Sequence, residues 1–370
     1  MDPLVSILIP AYNSQEWIAD TLRCVIAQTW HRKEVIVVDD GSSDQTLSVA
    51  RQFESGIVRV VTQPNQGAAS ARNKALCLAQ GDYIQWLDAD DLLAPDKIAR
   101  QLECLHEGSK RTLFSSAWAR FIYRPHRAHF VANALWEDMT PVEFLYRKVA
   151  LNLFMANAAW LVSRELTEAA GPWDTAQLVD DDGEYFCRVI LASDGIRFVP
   201  EARMYYRMVA SSSHSHIGTS AAKLEAQWRS IQTHMQRLLS LEQSDRVRTA
   251  CVHFLQLNLN HFHPERPDIV AQAQEIAGEL GGSIQRPRLP LKYWWIAALF
   301  GPQRAKSAQR HVRVFRRKVD SSWDRFLLFA ETGSLRRNPL VGNRPEPTRV
   351  EIGPEQPACS TSESLCTKQK

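Results

Sequence analysis

The sequence predicts an α/β fold in which a Rossmann-like, mostly parallel sheet is flanked by helices and followed by a helical C-terminal extension. Three observations predict it. Short apolar runs rich in Val and Ile alternate with segments of helical spacing through the first hundred residues, as in right-handed βαβ units. Acidic residues directly follow two of these runs. The later part of the chain has long segments with helical spacing and few strand-like runs.

The stretch from Gly81 to Asp91, GDYIQWLDADD, is central to this prediction. Its apolar run predicts a strand buried on both faces. Asp88, Asp90 and Asp91 follow the run, at the sheet edge where open α/β folds bind ligands. Grouped carboxylates there suit Mg²⁺ or Mn²⁺ that carries a phosphate-bearing substrate. The alternative is an acidic turn that caps the next helix, with Pro95 in its first turn.

The same signals place the other elements. Pro10 is expected to end the first strand because proline cannot donate to a ladder, and Ser14 to cap the first helix. Gly81 is expected to end the third helix in the C′ position. The predicted strands are residues 5–9, 34–38, 58–61, 83–87, 112–117, 196–199 and 203–206, and the predicted helices begin near Ser14, Ser43 or Asp44, Ser70 and Pro95.

Composition excludes several classes of protein. The 370 residues are 45% hydrophobic and 23% charged, as in soluble globular proteins. A net charge of +3 gives no argument for a nucleic-acid partner. No apolar run approaches the ~20 residues that span a bilayer, and no secretory signal precedes the first strand. Seven dispersed cysteines without CxxC spacing predict reduced thiols in the cytoplasm and no zinc site.

Three segments are expected: an α/β domain at 1–218, a helical extension at 219–338 and a disordered tail at 339–370. Residues 286–318 carry ten Lys or Arg, no Asp or Glu, and a run of aromatic residues. One interpretation is peripheral contact with the cytoplasmic face of an anionic membrane. The other is that the aromatic residues pack on the protein's own helices and the charges form a solvated face. The aromatic residues are Tyr293, Trp294, Trp295 and Phe300.

A second acidic cluster, Asp180 to Asp182, follows a GPWD turn. Alone, such a triplet is most often a solvated turn. Glu184 and Arg188 stand at i,i+4 spacing and are expected to pair on one helix face. His214 and His216 lie in a polar loop, where surface positions are the more common outcome.

Several motifs in order resemble family-2 glycosyltransferases of the GT-A fold. They are PAYN at 10–13, DDGSSD at 39–44, GAASARN at 67–73, DADD at 88–91, GPWD at 171–174 and DDGEYFCR at 181–188. The resemblance covers roughly residues 4–215. One departure concerns the base: where many members have Glu-Asp, this chain has Asp181-Asp182 with Asp180 before them.

The resemblance implies inverting transfer of a sugar from a nucleotide-sugar, commonly a UDP-sugar, to a saccharide or lipid-linked acceptor, with Mg²⁺ or Mn²⁺. Asp90 would ligate the metal and Asp182 would be the catalytic base. Asp40 would contact the nucleotide base with Asp39 supporting its loop, and Asp88 would face the ribose. The matched donor-side and cleft residues are Pro10, Ala11, Tyr12, Asn13, Asp39, Asp40, Gly67, Arg72, Asp88, Ala89 and Asp181.

Other functions predict features of their own. A non-catalytic nucleotide-sugar binding or scaffold protein of this fold would lack the acceptor-side carboxylates, which this chain keeps. A nucleotidyltransferase would need a Gly-rich, basic phosphate loop near the N-terminus, and a dehydrogenase a GxGxxG after the first strand. The sequence has neither. Because like charges disfavour ionisation, Asp180 and Asp181 are expected to raise the proton affinity of Asp182.

Overall fold

The structure of the protein, a computed structural model, describes residues 2–107, 110–208, 220–287 and 290–333. The strands are β1 (Val5–Ala11), β2 (Lys33–Asp39), β3 (Val58–Thr62), β4 (Tyr83–Trp86), β5 (Leu92–Leu93), β6 (Thr112–Phe121), β7 (Val162–Ser163) and β8 (Gly195–Arg207). The helices are α1 (Ile18–Ile26), α2 (Thr46–Arg51), α3 (Ala68–Leu78), α4 (Lys97–Glu103), α5 (Pro141–Ala150), α6 (Arg164–Ala170), α7 (Asp181–Ala192), α8 (Ala221–Leu241), α9 (Asp245–Asn258), α10 (Pro267–Glu279), α11 (Trp294–Phe300) and α12 (Pro302–Thr332).

The main sheet has the order β3-β2-β1-β4-β7. Its first four strands are parallel, and β7 joins β4 antiparallel. Val and Ile side chains of β1 and β2 are buried on both faces of the sheet, which is why their sequence is apolar without alternation. The predicted α/β fold with a mostly parallel sheet and a helical C-terminal region is confirmed.

The expectation that Pro10 ends β1 is wrong. Pro10 lies within the strand, opposite Val38. The reason is the shape of the sheet. The pairing of β1 with β4 stops at Leu8, whose backbone oxygen accepts from Leu87 N at 3.0 Å. The backbone N of Pro10 faces the β4 side, as Leu8 does, but β4 has already ended at this point. No hydrogen bond is therefore lost because proline lacks an N–H.

Gly81 and Ser14 also act differently from the expectation. Gly81 does not have the positive φ of a C′ residue; a Cβ there would lie 2.6 Å from Ser6 N and 2.9 Å from Leu4 O. Glycine is therefore required by close packing against β1. The Ser14 hydroxyl donates to Tyr12 O at 3.0 Å, so this side chain does not cap α1.

A second sheet, which the sequence analysis did not predict, has the order β5-β8-β6. The two short strands expected at 196–199 and 203–206 are one strand, β8, with a register shift against its partner between Ser116 and Ala117. A shift of this kind interrupts the alternation of side chains along the strand, which explains the split in the sequence pattern. Since β5 directly follows the DADD motif and pairs with β8, the second sheet anchors that motif.

The C-terminal region is helical, as expected. Helices α8 and α9 lie within the predicted helical extension; both pack against α5, and α8 also packs against α7. No helix among the described residues is long and apolar enough to cross a membrane. The boundaries at 218 and 338 remain predictions. The expected disordered tail, 339–370, and the loop histidines His214 and His216 lie outside the described residues.

Candidate active site

The ends of β1 and β2 form one surface. Ala11 lies opposite Asp39 in the ladder, and Asp40 N donates to Ala11 O at 2.8 Å. Asn13, which has a positive φ of 48°, accepts from Ser43 N through Oδ1 at 2.9 Å. The PAYN and DDGSSD motifs therefore lie side by side at the carboxyl edge of the sheet, where this fold class binds ligands.

Asp40 contacts the loop at Gly67, and the roles that the resemblance implies for Asp39 and Asp40 stay predictions. The buried carboxylate of Asp40 accepts from Gln66 N at 2.9 Å and from Gly67 N at 2.8 Å. Asp39 accepts from Thr62 Oγ1 at 3.1 Å through one oxygen, while its other oxygen is buried without a partner among the described residues. A buried carboxylate oxygen without a donor is unfavourable, so Asp39 retains capacity to bind a ligand.

Arg72 joins the two acidic clusters. Its Nη2 donates to Asp88 Oδ1 at 2.8 Å and its Nη1 to Asp181 Oδ2 at 2.6 Å, although Asp181 is 109 residues away in sequence. Burial lowers the pKa of Arg72, but the two carboxylates outweigh it and the pKa is raised, so the guanidinium stays charged. The DADD motif and the start of α7 therefore face the same cleft.

The aromatic ring of Trp173, from the GPWD motif, supports Arg72 at 4.3 Å. Asn73 holds the Trp173 backbone on both sides: its Nδ2 donates to Trp173 O at 2.9 Å, and Trp173 N donates to its Oδ1 at 2.8 Å. Arg188 donates to Glu184 at 2.8 Å and to Pro172 O at 2.8 Å. The expected pairing of Arg188 with Glu184 is confirmed, and its contacts hold the GPWD turn against α7.

The DADD turn is held in place by Arg207 and Thr21. Asp91 is 1% exposed and accepts from Arg207 N at 2.8 Å. Arg207 Nε donates to Asp90 O at 2.6 Å, and the Thr21 hydroxyl donates to Asp91 O at 3.0 Å. These contacts engage the backbone of Asp90 and leave its carboxylate for another partner.

Asp90 suits a divalent cation electrostatically. Burial and then the charge of Asp88 raise the pKa of Asp90 to about 6, so positive charge brought to this carboxylate would be stabilising. No cluster of three or more His, Cys, Asp or Glu side chains able to hold a metal occurs within the described part of the chain. One or two carboxylates without a closed cage are typical of Mg²⁺ and Mn²⁺ sites completed by phosphate and water.

Asp182 begins α7 together with Asp181 and accepts from Gly183 N at 2.9 Å. Burial, then Asp181 and Asp180, raise the pKa of Asp182 to about 7. The carboxylate lines a cavity of about 40 Å³, with Phe154 among its walls. The predicted rise in proton affinity is therefore borne out by the structure.

The hydroxyl of Tyr206 is affected by both acidic clusters, the DADD turn and the start of α7. Burial raises the pKa of its hydroxyl, and the charges of Asp88, Asp90 and Asp182 raise it further. Such effects fall off with distance. Carboxylates from DADD and from α7 therefore both lie within electrostatic range of this phenol.

The start of α7 is held by contacts with α8 that the sequence did not predict, and we call these contacts of Asp180 with Ser230 and His234 the clamp. Asp180, with a φ of 57°, accepts from His234 Nε2 at 2.8 Å and from the Ser230 hydroxyl, both on α8. Lys148 Nζ lies 3.2 Å from the same ring nitrogen. A Cβ on Gly183 would lie 2.1 Å from the Asp180 carboxylate, so only glycine admits this arrangement. Ser230 and His234 are polar residues four apart on the buried face of α8, which was the available signal.

Arg207 was also missed. Its guanidinium lies between the rings of Trp17, at 4.3 Å, and Phe121, at 4.4 Å. Its pKa is lowered, chiefly because it is buried. The sequence gives no signal for this contact, because Arg207 ends a strand whose length and partners the pattern did not reveal.

Residues 6–168 match the family model described as Glycosyl transferase family 2. The chain is 44% identical over 110 residues to the putative teichuronic acid biosynthesis glycosyltransferase TuaG of Bacillus subtilis (strain 168), covering 29% of this chain and 44% of that protein. It is 42% identical over 110 residues to chondroitin synthase of Escherichia coli, covering 29% of this chain and 16% of that protein. The aligned regions thus span less than half the length of these curated relatives.

Solved structures extend the likeness beyond the matched residues. S. aureus TarS 1–349 in complex with UDP-GlcNAc superposes with a TM-score of 0.57 at 16% identity, covering 90% of this chain and 92% of that one. The mannosyltransferase PcManGT from Pyrobaculum calidifontis, in complex with GDP-Man and Mn²⁺, gives a TM-score of 0.51 at 19% identity, with 88% of each chain covered. At this identity the likeness concerns the fold.

The fold and the arrangement of motifs define a GT-A glycosyltransferase architecture. Over residues 6–168 the chain is similar to glycosyl transferase family 2.

Replacing His234 by Ala removes a donor and a positive neighbour from the buried Asp180 carboxylate. We expect the free energy of unfolding to fall by about 3 kcal/mol at pH 6. Burial and Lys148 lower the pKa of His234, but Asp180 raises it above its ordinary value of 6.5. The stabilisation is therefore fully present below pH 6.5 and is lost as the pH rises through the folded pKa, so the loss should be smaller at pH 9. Urea unfolding at both pH values measures it.

The pKa of Asp180 is lowered, so its own contribution does not change between pH 6 and 9. The matched control is His253→Ala, an exposed histidine on α9, which should change stability by less than about 0.5 kcal/mol. A loss at His234 that is equal at both pH values, or no greater than at His253, would contradict the clamp.

Proposed function

We propose that the protein is an inverting glycosyltransferase that moves a sugar from a nucleotide-sugar, most simply a UDP-sugar, to an acceptor hydroxyl. The observation that carries the proposal is the Arg72 bridge from Asp88 to Asp181, which sets the donor-side and acceptor-side carboxylates around one cleft. The names of the relatives and the nucleotide-sugars bound by the structural neighbours support it.

Recognition of a uracil ring follows from hydrogen-bonding capacity. Uracil carries an N–H donor between carbonyl acceptors, whereas the cytosine ring lacks that proton, so a fixed carboxylate favours uracil. One oxygen of Asp39 has no hydrogen-bond partner among the described residues, and it lies at the edge where β1 ends at Ala11. We assign the base contact to this pair of aspartates, with Asp40 shaping the loop, and the ribose contact to Asp88.

Departure of the nucleotide diphosphate is the charge-generating part of the reaction. As the bond between the sugar C1 and the phosphate oxygen breaks, the diphosphate takes the electron pair and becomes more negative. A divalent cation held at Asp90 supplies electrostatic stabilisation of that charge. Arg207 and Thr21 fix the turn that carries Asp90, so the carboxylate is held in place before the donor arrives.

Activation of the acceptor is assigned to Asp182. In a direct displacement, the acceptor oxygen forms its bond to C1 from the face opposite the leaving group while Asp182 takes the hydroxyl proton. A carboxylate with a pKa of about 7 is a better base than an ordinary aspartate and is still largely ionised above that pH. Asp181 is held by Arg72, which fixes the first turn of α7 and with it the position of Asp182.

The acceptor class and location complete the proposal. Two relatives are named for teichuronic acid and chondroitin, which supports a cell-envelope glycan, free or lipid-linked, as acceptor. We place the protein in the cytoplasm, at the inner face of the membrane, with peripheral contact through residues 286–318.

A donor screen tests the activity. We expect release of UDP from one UDP-sugar in the presence of acceptor and Mn²⁺ or Mg²⁺, and loss of that release with a chelator. Asp90→Ala should abolish the metal-supported part of donor binding, measured by titration with and without Mn²⁺. Asp245→Asn, a 97% exposed carboxylate on α9, is the control. Equal donor binding by Asp90→Ala and wild type in Mn²⁺ would remove the metal role.

Asp182→Asn tests the base. The variant keeps the shape but cannot take a proton, so the rate of transfer should fall by ~10²–10⁴-fold while donor affinity stays unchanged. In the wild-type enzyme kcat/KM for the acceptor should rise with pH through about 7 as Asp182 ionises, and the residual rate of the variant should lack that limb. Full activity of Asp182→Asn would refute the assignment and leave a non-catalytic binding protein of the same fold as the better explanation.

A further inference from the structure

Helix α12 carries an apolar stripe that the rest of the protein does not cover. Its members recur at intervals of three and four residues, which places them on one helix face. Their side chains are between 40% and 68% exposed. The residues of this apolar stripe are Val312, Phe315, Val319, Trp323, Phe326 and Phe329.

Other residues of α12 attach the helix to the protein near both of its ends. Near its start, Ala305 is buried and Lys306 donates to Glu265 at 2.7 Å. Near its end, Leu328 is buried, and Asp324 accepts from Tyr123 N at 2.8 Å. Between these attachments every residue from 311 to 320 is exposed. The stripe side chains are therefore open to solvent from Val312 onward.

Helix α11 extends this surface. Trp294, Trp295, Leu299 and Phe300 are each more than half exposed, and α11 packs against α12. The two tryptophans are thus more exposed than packing on the protein's own helices would leave them, whereas Tyr293 of the same run is buried. Contiguous exposed apolar surface of this kind marks a contact with a protein or a membrane.

The charges beside the stripe decide between these partners. Arg316 lies four residues after Val312 and Lys318 three residues after Phe315, so both adjoin the stripe. Two of the acidic residues of α12 are bound to the protein: Asp324 accepts from Tyr123 N and Glu331 pairs with Arg124. Asp320 lies three residues before Trp323, so the stripe has one acidic neighbour beside its basic ones.

A second copy of this chain would bring the same basic residues face to face across the stripe, which is unfavourable at the flanks of paired helices. An anionic bilayer surface complements both features, because aromatic side chains favour the headgroup region and lysines and arginines are attracted to anionic lipid. We propose that α11 and the apolar stripe of α12 form a membrane-docking surface for anionic phospholipid.

The surface is linked to the cleft. Tyr123, held by Asp324 of α12, lies 5.3 Å from the ring of Trp17, which in turn stacks on Arg207 beneath the DADD turn. Docking through α12 therefore sets the cleft at a fixed position relative to the lipid surface. This step rests on the proposed function, and it makes a lipid-linked saccharide the acceptor that the geometry favours.

Flotation of the full chain with vesicles tests the surface. Vesicles of equal parts phosphatidylglycerol and phosphatidylcholine should bind the wild-type chain, and phosphatidylcholine alone should bind it at least tenfold more weakly. The double variant Phe315→Ser, Trp323→Ser should lose at least tenfold in binding to the anionic vesicles. Val314→Ser, an exposed residue of α12 outside the stripe, should stay within twofold of wild type.

The variant Arg316→Gln, Lys318→Gln should lose about tenfold on anionic vesicles and nothing on phosphatidylcholine. Binding that is equal for wild type and the stripe variant, or indifferent to phosphatidylglycerol, overturns the proposal. A second contrary result would come from analytical ultracentrifugation. If the wild-type chain is a dimer, the stripe variant is a monomer and both bind vesicles equally, the stripe is covered by a second copy of the chain. The flotation assay needs neither donor nor transfer, so an inactive chain that docks would refute the proposed activity alone.

Discussion

A single buried guanidinium, that of Arg72, connects the parts of this protein that do different work. It is 5% exposed, donates to one carboxylate on the DADD turn and to another at the start of α7, and rests on Trp173. Removing one partner of a buried ion pair typically costs about 3–5 kcal/mol, far more than the surface pairs elsewhere in the chain. Among the residues that the structure describes, this contact alone joins the two acidic clusters by direct ion pairs, so the cleft depends on it.

Two layers of support lie behind that bridge. On the donor side, Arg207 and Thr21 hold the backbone of the DADD turn, so its carboxylates are fixed by main-chain geometry as well as by rotamer. On the acceptor side, Asp180 is held by α8 through His234. The C-terminal helices therefore contribute to the architecture of the site, because one of them fixes the first turn of α7, and another, α12, holds Tyr123 beside Trp17.

Sequence reasoning recovered what depends on local pattern. The parallel strands β1, β2 and β4 are buried on both faces, so their sequences are apolar runs, and the DADD turn follows β4 directly. What escaped it depends on contacts between distant segments. Pro10 is tolerated inside β1 because β4 is short, and β8 looked like two strands because of a register shift against β6. The residues around Pro10 and in β8 carry no local signal for the length of a neighbouring strand or for a shift in its register.

The same limit applies to the site. Asp39 and Asp40 are adjacent and chemically identical, so only the position of the loop at Gly67 shows which of them is occupied by backbone donors. His234 lies in an amphipathic helix whose pattern predicts a core face, and its partner Asp180 is 54 residues away. By contrast, the placement of Asp182 and Asp90 around one cleft is implied by the resemblance and stays a prediction, supported by the Arg72 bridge between their neighbours Asp88 and Asp181.

A crystal structure of the full chain with UDP and Mn²⁺ tests the central claim most directly. The account predicts the uracil ring against the ends of β1 and β2, the diphosphate facing Asp90, and the Asp182 carboxylate opening onto the same cleft with the Arg72 bridge intact. A nucleotide bound elsewhere on the chain, or a ligand in place with Asp182 turned to the far side of the sheet, would contradict it.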